Sequence, residues 1–192
     1  MRYLLLIVAA GFIFNSCSKQ PAEKSSAALD SKTTSENNYK KNVSFVVNVN
    51  SSSGETASDF SWYDSNGKQI SLGDLRGKNV LINFWATWCG PCKAELADIE
   101  AINNEYASKG LIIIGVSVDK GGDELSNLSS FAAENGLTYQ IVVDNNNIAA
   151  AYGNINAIPT SFLVDKNGKI VDKWIGTRDK AFFESTVKKY ID

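Results

Sequence analysis

The chain has 192 residues, 21 acidic and 19 basic side chains, three cysteines and no histidine. The length suits one domain with appendages, and a net charge of −2 argues against nucleic acid as the main partner. Without histidine, the chain cannot form a Ser-His-Asp or Cys-His nucleophile system, a His-ligated zinc or copper site, or His-ligated haem. Acid–base chemistry must therefore use carboxylates, lysines, tyrosines or the cysteines.

Residues 1–16 are predicted to be a lipoprotein-type signal peptide. Arg2 precedes an apolar run over residues 3–14, which is shorter than the roughly 20 residues of a membrane span. The following Phe14-Asn15-Ser16-Cys17 resembles the lipobox of bacterial lipoproteins, in which the cysteine is lipidated and becomes the mature N-terminus. The alternative is a plain secretory signal followed by an incidental cysteine. The lipobox interpretation predicts a lipid-anchored protein on the periplasmic side of the bacterial cell envelope.

The next segment changes in composition. Residues 18–42 are rich in Ser, Lys, Asn, Glu and Thr and contain no Val, Ile, Phe or Trp. Such a segment cannot bury enough apolar surface to offset the entropy lost on ordering. Residues 17–42 are therefore predicted to be a lipidated cysteine and a flexible tether, and residues 43–192 a single domain.

The first half of this domain predicts strands followed by a helix. Val43, Phe45, Val47 and Val49 alternate as in a half-buried strand, and Asn66-Gly67 predicts a turn between strands within residues 60–72. Residues 80–85 form an almost continuous apolar run, which is typical of a central strand covered on both faces. Apolar residues at helical spacing then continue to Lys109-Gly110, where the helix should end.

The second half repeats the alternation of strands and helices. A buried strand is predicted over residues 111–118, a helix up to Asn135-Gly136, a strand over 139–143 and a short helix over 148–152. Strands over 160–164 and 169–175 flank Asn167-Gly168, which predicts a hairpin with a type I′ turn. Apolar residues spaced along 182–191 predict a last helix. The pattern indicates an α/β fold, with a central mixed sheet and helices on both faces.

The most informative segment is Trp88-Cys89-Gly90-Pro91-Cys92, between the predicted central strand and its helix. The unpaired N–H groups and the dipole of a helix N-terminus favour a thiolate and lower the pKa of a cysteine there. The spacing predicts a redox pair in which Cys89 is the exposed nucleophile and Cys92 the more buried resolving thiol. Pro91 suits the first helical turn, where an N–H would be unpaired in any case.

Two other interpretations fit an isolated pair of cysteines. Zinc needs about four ligands, and the chain has neither a second such pair nor a histidine. A purely structural disulfide would close a very small loop and would constrain the unfolded chain little. The preceding tryptophan and the intervening Gly-Pro favour redox chemistry over both, and no metal is expected.

Residues 80–92 (Val-Leu-Ile-Asn-Phe-Trp-Ala-Thr-Trp-Cys-Gly-Pro-Cys) resemble the active-site strand and loop of thioredoxin-fold proteins. Residues 57–60 (Ala-Ser-Asp-Phe), residues 72–78 (Leu-Gly-Asp-Leu-Arg-Gly-Lys) and Glu95 narrow this resemblance to the TlpA/ResA-like, membrane-tethered branch. The resemblance covers residues 57–192. It implies a thiol-disulfide oxidoreductase whose only redox group is the Cys89–Cys92 disulfide, without a further cofactor.

The resemblance also extends to a proline. Pro159, preceded by Ile158, matches the cis-proline that faces the disulfide in this fold. The residues alone favour a trans bond, because only about 5–6% of X-Pro bonds in folded proteins are cis. With a cis bond, the N–H and C=O of Ile158 could pair with an extended substrate beside Cys89, as an added β-strand does.

The other side of the predicted substrate surface consists of Trp88, Gly90 and Pro91. Trp88 would supply an apolar platform beside the disulfide, although an aromatic residue at such a position can also be ordinary packing.

A carboxylate is the predicted proton carrier. Ordinary thioredoxin has a buried Asp six residues before its first cysteine, whereas this chain has Asn83, which cannot take a proton. Glu95 shares a predicted helix face with Ile99 and Ile102, so burial should raise its pKa and suit it to exchange a proton with Cys92. The resemblance implies the same role. A solvated carboxylate on the helix surface is the alternative.

The distance in sequence between Cys92 and Pro159 exceeds that of a short thioredoxin core. The extra helix and strand are predicted within residues 119–144, an insertion that is typical of the TlpA/ResA-like branch.

The Gly-Pro dipeptide resembles thioredoxin, with a potential near about −270 mV, more than oxidising relatives near about −120 mV. The predicted activity is therefore the reduction of disulfides in exported proteins, with electrons from a membrane thiol-disulfide carrier. The resemblance suggests apocytochrome c as one target, and a monomer is expected. The alternatives are a dithiol oxidase, a Cu(I)-binding protein, an interaction domain with an inert disulfide, and a thiol peroxidase. Peroxidases carry Pro and Thr where this chain has Ile82 and Ala86.

Overall fold

A computed structural model describes residues 39–191 of the chain. Its strands are β1 (Tyr39–Lys40), β2 (Val43–Asn50), β3 (Asp59–Tyr63), β4 (Gln69–Ser71), β5 (Asn79–Trp85), β6 (Leu111–Ser117), β7 (Gln140–Val143), β8 (Thr160–Val164) and β9 (Ile170–Ile175). Its helices are α1 (Gly90–Tyr106), α2 (Glu124–Glu134), α3 (Asn147–Ala151) and α4 (Lys180–Val187), with short 3-10 turns at Leu72–Leu75 and Ala107–Lys109. The predicted order of elements is confirmed.

All strands belong to one mixed sheet. Its order is β4-β3-β2-β7-β6-β5-β8-β9, and β1 pairs with β2 beside this path. Strands β5, β6, β7 and β2 run parallel to one another. Antiparallel pairs extend the sheet at both ends, through β8 and β9 next to β5 and through β3 and β4 next to β2. The predicted thioredoxin-like α/β fold with a central mixed sheet is therefore confirmed.

The sheet separates two apolar cores, and β5 contributes to both. Leu81 and Trp85 belong to the core shared with α1, α2 and α4, whereas Ile82 and Phe84 belong to the core shared with α3 and β3. Because successive side chains of a strand point to opposite faces, a strand covered on both sides must be apolar throughout. All seven residues of β5 are buried, and this rigid strand leads directly to the cysteine segment.

The alternation predicted for the first strand is only partly right. A register shift between Val46 and Asn48, where β2 pairs with β3, changes the direction in which the following side chains point. Val46 is therefore buried and Val47 is exposed, the reverse of the simple alternation. The sheet also includes β1, in a segment that was assigned to the tether from sequence.

The hairpin at Asn167-Gly168 forms, but the predicted type I′ turn is wrong. A type I′ turn needs a positive φ at both central residues, and here Gly168 has one (φ 82°) while Asn167 does not. The turn is closed by Asp165, whose N–H donates to the Lys169 carbonyl and whose carboxylate accepts from the Asn167 N–H. The aspartate side chain therefore stabilises a wider turn than the dipeptide alone predicts.

The predicted insertion contains α2 and β7. Strand β7 lies between β6 and β2, with parallel pairing on both sides. The extra material is thus an interior part of the sheet, and it joins the N-terminal strands to the rest of the domain.

Candidate active site

The cysteine pair lies at the N-terminus of α1. Cys89 is the residue that caps the helix, and its Sγ accepts a hydrogen bond from the N–H of Cys92 at 3.1 Å. The two residues form a disulfide. In the reduced state, the same N–H group and the positive end of the helix dipole would stabilise a thiolate on Cys89. Pro91 lies in the first turn of α1, as predicted.

Cys89 is less exposed than the sequence interpretation expected. Its side chain is 5% exposed and that of Cys92 is 0% exposed, so the predicted order of accessibility holds while the predicted exposure does not. The cause is the loop before β8: Sγ of Cys89 lies 3.9 Å from the carbonyl oxygen of Ile158. A partner that exchanges a disulfide with Cys89 would therefore approach along this loop.

The loop that covers the disulfide contains a cis peptide bond between Ile158 and Pro159, as the resemblance implied. Ile158 is half-buried and Pro159 is buried. Within residues 39–191, the N–H of Ile158 makes no hydrogen bond to another backbone group. This donor, next to the sulfur, is available to an extended peptide.

Trp88 is the most exposed large apolar side chain at the site. Its side chain is 68% exposed, so it is a surface platform and not a packed core residue. A groove of about 260 Å³ separates it from the loop before β8, and the residues along this groove are Trp88, Val118, Lys120, Asn146, Ala149, Ile155, Asn156, Ala157 and Ile158. The position that a Cβ would take at Gly90 is open, so the surface beside Cys89 stays accessible to a substrate chain.

Glu95 lies one helical turn beyond Cys92 and is 1% exposed, which excludes the solvated alternative. Its Oε1 accepts a hydrogen bond from Nδ2 of Asn83 at 2.9 Å, and its Oε2 accepts one from the N–H of Arg178 at 3.0 Å. Burial raises the pKa of Glu95, and the two hydrogen bonds oppose this effect without cancelling it. The carboxyl group can therefore hold a proton at higher pH than an exposed glutamate.

Three further contacts shape the site, and the sequence interpretation did not include them. The carboxylate of Asp119 accepts hydrogen bonds from both the N–H and the hydroxyl of Thr87, which holds the segment before Trp88. The hydroxyl of Thr177 donates to the carbonyl of Pro91 at 3.0 Å. Asp119 follows β6, whose carboxyl end lies beside that of β5, so strand order could have indicated it. The segment around Thr177 carries no comparable signal.

The predicted signal peptide and Cys17 lie outside the residues that the structure describes. Within residues 39–191, no helix is long and apolar enough to cross a membrane. In the same part of the chain, no three His, Cys, Asp or Glu side chains come together as a potential metal site.

Comparisons with known proteins agree on one family. Residues 53–173 match the model of the AhpC/TSA family. The chain is 38% identical to thiol-disulfide oxidoreductase ResA of Bacillus thuringiensis over 137 residues, which are 71% of this chain and 77% of that protein. It is also 38% identical to the thioredoxin-like protein YneN of Bacillus subtilis, over 68% of this chain and 76% of that protein.

Solved structures show the same relationship. A thiol:disulfide interchange protein of the thioredoxin family from Chlorobium tepidum is similar to this chain with a TM-score of 0.65 and 31% sequence identity. The similarity covers 73% of this chain and 99% of that structure. Thioredoxin-fold oxidoreductases generally need no cofactor and act on protein substrates. The chain belongs to the AhpC/TSA family and, within it, to the TlpA/ResA-like thiol-disulfide oxidoreductases with a thioredoxin fold.

Proposed function

We propose that this oxidoreductase reduces disulfides of exported proteins through Cys89 and Cys92. The observation that carries the proposal is the arrangement around Cys89 at the start of α1. Beside it lie the exposed ring of Trp88 and the N–H of Ile158, which has no backbone partner within residues 39–191. This arrangement suits an extended segment of another protein better than a small molecule. The main chain of the segment would pair with Ile158 while its disulfide lies over Cys89.

The reaction begins with the reduced protein. The thiolate of Cys89 attacks one sulfur of the substrate disulfide, forms a mixed disulfide and releases the other substrate sulfur as a thiolate. Glu95 then accepts the proton of Cys92, and the resulting thiolate attacks Sγ of Cys89. The mixed disulfide breaks and the Cys89–Cys92 disulfide forms. Two electrons pass to the substrate, which leaves as a dithiol once its thiolates are protonated.

Turnover requires an electron donor and a location. We propose that a membrane thiol-disulfide carrier returns two electrons to the Cys89–Cys92 disulfide, and that lipid on Cys17 holds the protein at the periplasmic side of a membrane. The apolar run before Cys17 and the polar residues after it support this part of the proposal. The resemblance to the TlpA/ResA-like branch suggests apocytochrome c among the substrates. We expect the protein to act as a monomer.

The direction of the reaction is tested by the reduction potential. Equilibration of the full-length protein with glutathione buffers, followed by the fraction of free thiols, should give a potential near that of thioredoxin, at about −270 mV. A potential near about −120 mV would contradict the reductase proposal and favour the dithiol oxidase. Cys89→Ser should abolish the reduction of insulin disulfides, whereas Cys17→Ser should not, because residue 17 takes no part in the exchange.

The substrates themselves can be captured. Cys92→Ala removes the resolving thiol, so mixed disulfides through Cys89 should accumulate in cells and be identified by mass spectrometry. The matched control is the double variant Cys89→Ser/Cys92→Ala, which should capture nothing. If exported proteins with disulfides are absent from the complexes that only the first variant captures, the substrate proposal is wrong.

A second candidate, the thiol peroxidase, arises from the AhpC/TSA match. The two positions where peroxidases carry Pro and Thr are Ile82 and Ala86 here, and both are fully buried apolar residues. Ile82 also belongs to the core on the opposite face of the sheet from the disulfide. We therefore expect no consumption of hydrogen peroxide by the reduced protein above the rate of free dithiols, and a stoichiometric assay with dithiothreitol would test this.

A further inference from the structure

The two oxygens of Glu95 face partners of different chemistry. Oε2 lies 3.0 Å from the backbone N–H of Arg178, which can only donate a hydrogen bond. Oε1 lies 2.9 Å from the side-chain amide of Asn83, a group that has both a donor and an acceptor. A proton on Oε2 would point at the proton of the Arg178 N–H. A proton on Oε1 would face a group that can turn to accept it.

The side-chain amide of Asn83 lies where it can rotate in this way. It lies in the middle of β5, directly opposite Ser161 of β8, and is 1% exposed. Its Nδ2 donates to Ser161 Oγ at 2.9 Å as well as to Glu95, whereas its buried Oδ1 has no hydrogen-bond partner among the described residues 39–191. Rotation of the amide by half a turn moves the NH₂ group to the place of Oδ1 and brings Oδ1 to the place of Nδ2, where it can accept from Glu95 and Ser161 in exchange for the two bonds that Nδ2 donated. The Ser161 hydroxyl serves both orientations, because it can accept or donate.

We propose that Asn83 is a positioning residue that fixes the proton of Glu95 on Oε1. Its amide donates to Oε1 while Glu95 is ionised, and turns to accept the O–H of Oε1 when Glu95 is protonated. Each state then has a hydrogen bond at Oε1, so neither state of Glu95 is left with an unpaired buried group there. The catalytic role of this amide rotation rests on the proposed proton exchange between Glu95 and Cys92. The rotation itself does not depend on that exchange.

Other charged or titratable groups near Glu95 cannot replace Asn83. Arg178 and Asp98 influence the carboxylate of Glu95 through their charges. Tyr139, in the segment before β7, is close enough for the charge of Glu95 to raise the pKa of its hydroxyl. Cys92 lies in the disulfide. Among the side chains of residues 41–191, Asn83 is the one that forms a hydrogen bond with Glu95.

The orientation of the amide can be observed by NMR in the full-length, isotopically labelled protein. The ¹³Cδ shift of Glu95 follows its ionisation, and cross-relaxation between the Asn83 NH₂ protons and Ser161 Hβ follows the amide. This cross-relaxation should be strong when Glu95 is ionised and should weaken in step with its protonation. Glu95→Gln should show the weakened signal at every pH, because its oxygen must accept from Arg178 and its NH₂ group must face Asn83. A signal that stays strong in Glu95→Gln and throughout the titration would overturn the proposal.

Asn83→Leu provides an independent measurement with a side chain of similar size. If Asn83 serves both states, its loss should move the pKa of Glu95 by less than about half a unit, since the effects on the two states oppose each other. If Asn83 only donates, its loss should raise this pKa by about one unit or more. The latter result would contradict the proposal. Both measurements use the oxidised protein without substrate, so they can fail while insulin reduction through Cys89 persists, and the reverse also holds.

Discussion

Gly115 of β6 lies where the core leaves no room for a side chain, and Gly115→Ala tests this directly. A Cβ atom at residue 115 would lie 2.8 Å from Nε1 of Trp85 and 3.0 Å from Cε2 of Tyr139. Both atoms belong to rigid rings that are themselves buried, so neither can give way as the end of a flexible side chain could. Gly115 also pairs with Asn83 on the neighbouring strand, so the strain would act beside the active-site strand.

The expected magnitude follows from two opposing effects. Overpacking by one methyl group in a dense core costs about 1–3 kcal/mol. Replacement of glycine by alanine in a strand returns about 0.5–1 kcal/mol, because the unfolded chain loses less entropy on folding. The free energy of unfolding should therefore fall by about 0–2.5 kcal/mol relative to the wild type, and by about 1–3 kcal/mol relative to a glycine-to-alanine change without overpacking. For a domain of this size, that is a decrease in Tm of about 2–4 °C for each kcal/mol.

Urea denaturation of the oxidised protein, with an unchanged m-value, would measure this loss. Gly90→Ala is the matched control, since nothing lies within 4 Å of a Cβ at residue 90, and its stability should be equal or slightly higher. Trp85→Phe removes Nε1, which has no hydrogen-bond partner in the described part of the chain, and should relieve the clash in the double variant by at least about 0.5 kcal/mol. A Gly115→Ala variant as stable as the Gly90→Ala variant would refute this account of the core.

Further predictions concern charge, capping and substrate contact. Glu95→Gln should be more stable than the wild type at neutral pH, because burial raises the folded-state pKa of Glu95 above its ordinary value of 4.5. The difference in the free energy of unfolding between Glu95→Gln and the wild type should be absent below pH 4.5. Above that pH it should grow by at most about 1.4 kcal/mol per pH unit up to the folded-state pKa and then level off. A constant difference in urea titrations across this pH range would contradict the prediction. Asp144→Ala should cost about 1–2 kcal/mol, since its carboxylate accepts from the N–H groups of Ile148 and Ala149 at the start of α3. Asp123→Ala, which removes no such bond from α2, should change the free energy of unfolding by less than about 0.5 kcal/mol, and equal losses would argue against the capping role. Trp88→Ala should leave stability within about 0.5 kcal/mol of the wild type and lower kcat/KM for insulin about tenfold, whereas the exposed Val47→Ala should change neither; unchanged kinetics would exclude the platform role.

The sequence predicted those parts of the fold that depend on local patterns. The apolar run of β5, the helical spacing of α1 and the glycine at residue 110 each act within a few residues, and the structure confirms all three. The bulge in β2 was missed because it depends on how β2 pairs with β3, and pairing is a property of two segments. The turn at Asn167-Gly168 was assigned the wrong type because the aspartate two residues earlier competes for the same backbone groups.

In the candidate site, too, the features set by local sequence could be predicted and those set by contacts between distant segments could not. The sequence predicted Cys89, Cys92 and Glu95, because their spacing at the start of one helix indicates a redox pair with a nearby carboxylate. The partners of Glu95 come from β5 and from the segment before α4, which are 12 and 83 residues away in sequence, so no local pattern could bring them together. Asn83 was noted only as a residue that cannot be protonated. The structure adds that it is the hydrogen-bond partner of the residue that can.

The order of strands has a consequence for the behaviour of many copies of this protein at high concentration. Within residues 39–191, the sheet ends at β4 on one side and at β9 on the other. Strand β4 has only three residues, and β9 carries Asp172 and Lys173 and is interrupted by a register shift against β8. Short, charged or irregular edges are poor templates for a further strand. Both edges of the sheet therefore oppose edge-to-edge aggregation of the folded protein.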